Sequence, residues 1–366
     1  MGTRRNNWHV LALIAAAISA AYALIVPDPI GKDTLIELLP EIQINAEAEP
    51  AQSWRSLGKG SLAFAGDRFV GYYSSSQEKI VAFGRREEYP VIEDGFAIAR
   101  EGKGYRYLGF GDQVSIPLGE GGVPLSLGGV PFVIRDDQMA VAKLGGEGGV
   151  TWRYEFGRIV TGASVASSLS AWGTLSGEAI LLDGKGLPRY VINPSAFGLY
   201  AKYPCVYGIA LSPDGSTLAL LHGLEPQRLT IFQERGSGWA MASTTEIENE
   251  SPYPRAAVFS GNGLYGLFDS GDGLLHYDAR ENQFIRIALG GQPAFAPLAI
   301  VPVGLEGFGL LGDFSGTSKF GLVKKGVLRA FFPMKGAPGW IKSRGEQVDI
   351  ADDSAIRRFY IHGGDE

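Results

Sequence analysis

From about residue 60 onward the chain alternates between apolar runs of roughly four to seven residues and short breaks rich in Gly, Asp, Ser and Pro. No segment there keeps the 3.6-residue apolar period of an amphipathic helix over three turns. Short apolar runs bounded by turn formers predict β-strands. The stretch "ALSPDGSTLALL", Ala210 to Leu221, is the clearest unit. Pro213 presets φ and Asp214-Gly215 supplies the reversal, so Leu211 and Leu218 fall on the two strands it joins. Ser212 and Asp214 read as turn formers rather than a reactive pair, because the frame recurs along the chain without keeping both.

"AVFSGNGLYGLF", starting at Ala257, repeats that frame, and Ser212 and Ser260 stand about 48 residues apart, a spacing typical of propellers and solenoids. Looser copies start at Leu62, Leu125, Ala163, Ala299 and Trp340. A second strand signal follows each, among them "KIVAFG" at Lys79, "EAILLD" at Glu178 and "IRRFYI" at Ile356. The result is seven units at a mean spacing of about 46 residues. Each unit must stack on its neighbours to bury its faces, and radial repetition leaves only short edges. The expected fold is all-β, a seven-bladed β-propeller over 56–366. A parallel β-helix is the alternative, with shorter and more uniform rungs. The last unit is one strand short, and an early strand, "EIQINA" or the segment near Trp54, is expected to complete it.

The N-terminus departs from this pattern. Arg4 and Arg5 precede an uncharged apolar run from Val10 to Val26, about 17 residues, at the lower limit for a membrane-spanning helix. Asp28, Asp33 and Glu37 follow it. The charge asymmetry predicts a cytoplasmic segment 1–7, a transmembrane signal anchor at 8–26, and export of all that follows. Cleavage after Ala21-Tyr22-Ala23 is the competing reading, and it also exports the chain. Residues 27–55 read as a tether with a possible ring-closing strand; "DTLIELL" within it reads as one or two helical turns. The expected location is thus the extracytoplasmic side of the bacterial inner membrane.

Composition changes this picture little. The 52 glycines among 366 residues suit many tight turns. A net charge of −6, with no long Lys/Arg run, argues against a nucleic-acid partner. Cys205, the single cysteine, excludes an intramolecular disulfide and a cysteine-rich zinc site, and reads as a buried small hydrophobe.

The wording of the repeats carries a resemblance. "LSPDGSTLALL" resembles the strand-turn-strand unit of WD40-like, TolB-type blades. The span from Trp152 to Tyr190 resembles a blade of the PQQ-like (quinoprotein-like) repeat family. Ala142, Gly148 and Trp152 fit that family's tryptophan-docking phrase A-x-D-x-x-x-G-x-x-x-W, with Leu144 in place of Asp. Asp183, Gly186 and Tyr190 fit it again, one residue short and with Tyr for Trp. The match covers about two blades. Dehydrogenases of the family bind the quinone with calcium, and some use an adjacent-cysteine disulfide that a single cysteine cannot make. The resemblance therefore implies the non-catalytic branch, which includes periplasmic scaffolds of envelope assembly.

Chemistry-bearing motifs are sparse. His222, His276 and His362 lie far apart on strand signals, and His9 lies at the apolar N-terminal run. "DSGDGLLHYD", Asp269 to Asp278, lacks the acidic spacing of an EF-hand loop and reads as a hairpin. There is no G-x-S-x-G elbow, Walker A loop or H-E-x-x-H. No catalytic set, cofactor or metal site is expected. Aromatics give the binding candidates: Tyr200, Tyr203 and Tyr207 precede one repeat, and Tyr253 and Arg255 the next. Inter-blade entries open onto one end of a ring, and Tyr and Arg are enriched at binding hot spots; inter-blade packing is the competing role. The expected function is a membrane-tethered scaffold for protein partners of the cell envelope. The alternative is an exported enzyme or small-ligand binder using the central pocket.

Overall fold

The computed structural model describes residues 34–363 apart from 45–56, 58–59, 110–114, 121, 146–148, 167, 237, 288, 290–294, 315–316 and 337. Its strands form eight antiparallel sheets. Blade 1 holds Ser61–Ala65, Phe69–Ser74 and Lys79–Arg85. Blade 2 runs from Val91–Glu93 to Ser115–Glu120, blade 3 from Gly122–Leu127 to Val150–Glu155, and blade 4 from Val160–Ala166 to Pro188–Ile192. Blade 5 runs from Tyr203–Leu211 to Gly238–Glu246, blade 6 from Ala257–Phe259 to Gln283–Ile287, and blade 7 from Phe295–Val303 to Val327–Pro333. Blade 8 combines Trp340–Arg344, Gln347–Ala351 and Ala355–Gly363 with an outer strand from the other end of the chain, Thr34–Leu38. From blade 2 to blade 8 each inner strand touches the next, and Ser61–Ala65 of blade 1 touches the inner strands of blades 8 and 2. The ring is closed.

Strands alternate in direction, so turns between a blade's second and third strands share one end of the ring with the blade-to-blade connections. We call this the connection end. Arg68 pairs with Asp353, in a second-to-third turn of blade 8, at 2.8 Å, and the Arg86 amide donates to the Arg68 carbonyl. The turn after Ser61–Ala65 thus lies at the connection end.

Burial follows the seams. One apolar cluster fills each blade pair, such as Ile192, Val206 and Leu218 between blades 4 and 5, or Leu267, Leu310 and Val323 between blades 6 and 7. Trp152 shows how one blade keys into the next. Its indole N–H donates to the Gly184 carbonyl at 3.1 Å, and a Cβ on Gly186 would meet its ring at 2.5 Å. Gly186 has φ of 78°, so this docking turn needs glycine twice over.

Closure joins the two ends of the chain. Thr34–Leu38 pairs antiparallel with Ala355–Gly363, Thr34 opposite Gly363 and Leu38 opposite Phe359, and Ile42–Gln43 extends the same ladder opposite Ile356 and Ala355. Arg358 donates to the Pro40 carbonyl, holding the bend between the two segments. Ile36 packs against the cluster of Val303, Phe320, Ile341 and Phe359. This pairing overrides the helical reading of "DTLIELL", since tertiary hydrogen bonds and apolar contact outweigh a weak local propensity. "EIQINA" contributes Ile42 and Gln43 to the ladder but is not the outer strand, and the other expected closing segment, near Trp54, lies outside the described residues.

Two parts of the expected fold class are corrected. The ring has eight blades, not seven. Blade 2 lies in the long interval between the copies at Leu62 and Leu125; its first strand is only Val91–Glu93, too short to repeat the frame. The second part is the transmembrane helix. Among the described residues no helix is long and apolar enough to cross a membrane, and segment 8–26 lies outside them.

Truncating Phe359 tests the closure. Its ring is buried and stacks on Phe320 at 5.3 Å. Phe359→Ala is expected to cost about 3–5 kcal/mol in denaturant unfolding. Leu35→Ala, on the exposed side of the closing strand, is expected to stay within about 0.5 kcal/mol.

Candidate partner-binding site

Blades 4 to 6 present the candidate residues at the connection end. After blade 4, Asn193 caps a short 3-10 turn, Pro194–Phe197, by accepting the Ser195 N–H at 2.9 Å, and Gly198 ends it with φ of 78°. The next residues are lifted to the surface. Tyr200 is 71% exposed, and its carbonyl accepts from Arg228 at 2.8 Å. Lys202 pairs with Glu225 at 2.8 Å and sits 5.1 Å over the ring of Tyr203, which is half-exposed.

The adjoining loop is clipped to this one. Glu250 accepts the backbone N–H groups of Glu225 and Gln227 at 2.9 and 2.8 Å. Gln227 donates to the Ser251 carbonyl and accepts the Ser251 N–H. This doubly bonded clip positions Tyr253, 72% exposed two residues on. Arg286 bridges Glu248 and Asp272 at the outer edge. Leu175 and Phe197, which the sequence did not single out, are exposed at the same end.

Tyr207 and Arg255 lie beneath this surface. Tyr207 is half-buried in the seam between blades 5 and 6, its hydroxyl pushed up to about 12 by burial and then by the neighbouring Cys205 thiol. Cys205 is itself buried. The Arg255 side chain is 3% exposed. It donates to the Asn249 carbonyl at 2.6 Å and to Asp269 at 3.4 Å, while its backbone N–H donates to the Tyr207 carbonyl. Burial holds the Asp269 carboxyl above its usual range, against the lowering effect of the Gly271 N–H and of Arg255. The structure therefore brings Tyr200, Tyr203 and Tyr253 to one end with their rings outward, and seats Tyr207 and Arg255 as their support.

The remaining motifs resolve into local structure. Ser212 donates to Asp214 at 2.5 Å and accepts the Thr217 N–H, closing its turn. Ser260 repeats this with Asn262 and the Tyr265 N–H. His222 is buried against Thr230, and His362 bonds Glu37 across the closing ladder. Among the described residues no three His, Cys, Asp or Glu side chains gather as a metal site.

A family model described as β-propeller protein matches residues 120–307. The fold is similar to BamB from Moraxella catarrhalis, with a TM-score of 0.59 over 89% of this chain and 98% of that one at 13% identity. It is also similar to the computationally designed Ika8 protein, with a TM-score of 0.60 over 87% of this chain and 99% of that one at 11% identity. At such identities the likeness is one of fold. No curated protein matches the sequence.

Two expectations follow from the groups beneath the site. Arg255→Met leaves Asp269 buried without its cation and is expected to cost about 3–5 kcal/mol in urea unfolding, while Tyr253→Ala stays within about 0.5 kcal/mol. The second concerns His222, whose pKa is held down to about 4 by burial first and the Arg228 charge second. An unfolded histidine takes its proton near pH 6.5, so the unfolded chain binds the proton at higher pH than the folded one. Stability is complete above about pH 7, falls as pH drops through 6.5, and the loss levels off below the folded value near 4. Between pH 7 and 4 the wild type is expected to lose roughly 3 kcal/mol more than His222→Gln.

Proposed function

We propose that this chain, which belongs to the β-propeller protein family, acts as a protein-interaction scaffold in the bacterial cell envelope. The observation that carries the reading is the outward display of Tyr200, Tyr203 and Tyr253 on loops that hydrogen bonds and ion pairs clamp to the ring. Tyrosine offers a large amphipathic contact at low entropic cost, and a preorganised loop loses little freedom on binding. A closed ring supplies a broad, stiff end, and a stable complex needs about 800 Å² from each partner.

The finer affiliation we infer is with the PQQ-like repeats, in a non-catalytic role. The seating of Trp152 on the Gly184–Gly186 turn of the next blade supports it, since that is where the docking phrase puts its tryptophan. The proposed location is the extracytoplasmic face of the inner membrane, with the apolar run from Val10 to Val26, behind Arg4 and Arg5, acting in export and tethering.

Envelope partners captured by the full-length protein test this reading. The triple variant Tyr200→Ala, Tyr203→Ala, Tyr253→Ala is expected to keep the wild-type melting temperature and to lose at least about 1 kcal/mol of affinity per true hot spot. Full capture by the folded variant would contradict it. A C-terminal alkaline phosphatase fusion is expected to be active, and an inactive one would overturn the location.

A further inference from the structure

A groove of about 570 Å³ opens at the seam between blades 7 and 8. One wall is the chain leaving the closing strand, Leu38–Glu41; the other is the end of blade 7's outer strand, Phe332–Lys335, with Arg357 and Phe359 between them. The ends of both outer strands put it at the connection end, two to three blades round from the tyrosines. Its floor is apolar, with Met334 and Phe359 buried and Phe332 half-buried. Leu38 shares a face of the closing strand with Ile36, because strand side chains alternate. Ile36 packs into the seam, whereas Leu38 stands 68% exposed on the lip of the groove. The seam's apolar lining thus continues past the part that the ring itself covers.

The charges around the groove give the occupant its sign. The Arg357 guanidinium is engaged by Asp352 at 2.8 Å and faces Glu41 at 3.7 Å. Lys335 is exposed and makes no ion pair among the described residues. The rim therefore offers a cation above an apolar floor. Pro40 and Pro333 stiffen the two walls by fixing φ, so little ordering is needed on binding.

We propose that this groove is a second docking site, taking an extended segment of a partner protein that inserts a bulky apolar side chain and sets a carboxylate against Lys335. The apolar anchor supplies affinity in a desolvated pocket, and the charge pair fixes orientation. The site shares no residue with the tyrosine-bearing surface, so either can fail alone. Its two walls belong to the closing strand and to blade 7. An occupant therefore binds the closed ring and not the unfolded chain, and raises the melting temperature.

The test titrates the full-length protein with a fluorescein-labelled decapeptide carrying Leu-Phe two residues before a glutamate, read by anisotropy and by thermal shift. The expected result is saturable binding with a raised melting temperature. Leu38→Ser and Lys335→Glu, both at exposed positions, are each expected to weaken binding at least about fivefold. A peptide with lysine in place of the glutamate is expected to regain affinity for Lys335→Glu. The tyrosine triple variant is expected to bind the decapeptide as the wild type does. Absence of saturable binding up to about 1 mM would overturn the proposal, as would equal binding by Leu38→Ser and Lys335→Glu. Failure of the charge swap, or loss of binding in the tyrosine variant alone, would assign the peptide elsewhere and overturn it too.

Discussion

The antiparallel ladder between Thr34–Leu38 and Ala355–Gly363 is the constraint on which the rest of the molecule depends. A blade buries little by itself, and each apolar cluster here is shared between two blades. Without closure, blades 8 and 1 would each expose a face of their shared seam, including Ile356, Phe64 and Tyr73. Joining the chain's far ends gives every blade a neighbour on both sides. Charge reinforces the joint at the opposite end of the ring from the tyrosines: Arg344 of blade 8 reaches the Ala63 carbonyl of blade 1 and Asp94 of blade 2. Asp349, fully buried, bonds both Arg344 and the Tyr73 hydroxyl. Removing either partner would leave a buried charge uncompensated, which is strongly destabilising.

That stiffness is what makes the connection end usable. Loops on a rigid scaffold present side chains without first having to be ordered. At blades 4 to 6 the loops are additionally bonded to one another, Glu250 and Ser251 to the Glu225–Gln227 turn, and Arg255 braces its own loop through the Asn249 carbonyl. The interior therefore carries the cost of order, and the exposed tyrosine rings remain free to meet a partner. The groove at blades 7 and 8 follows the same logic, since one wall leaves the closing ladder and the other ends blade 7's outer strand.

Much of the ring was legible in the sequence because turn chemistry is local. Ser212 to Gly215 and Ser260 to Gly263 announce their hairpins, whereas the seating of Trp152 on the turn at Gly186 appears only in the structure. What escaped depended on distant residues. Thr34–Leu38 has a helix-like local pattern and becomes a strand only because Ala355–Gly363 lies beside it. Blade 2 escaped because its three-residue first strand carries too little of the repeat. At the candidate site the sequence marked the right loops but could not separate roles within them. Arg255 is buried because Asn249, six residues earlier in the same connection, and Asp269, at the end of blade 6's second strand, both come to its guanidinium, whereas the ring of Tyr253, two positions away, stands in solvent.

A disulfide scan across the closing ladder tests the central claim most directly. Leu35 lies opposite His362, while Glu37 lies opposite Tyr360. Directly opposed residues of an antiparallel pair stand about 4.5–5.5 Å apart at Cα, within reach of a disulfide. The account predicts that the pair Leu35→Cys, His362→Cys cross-links spontaneously in the folded protein and raises its melting temperature, while the register-shifted pair Glu37→Cys, His362→Cys does not. Cross-linking of the shifted pair alone, or of neither, would contradict an eight-bladed ring closed by its N-terminal strand.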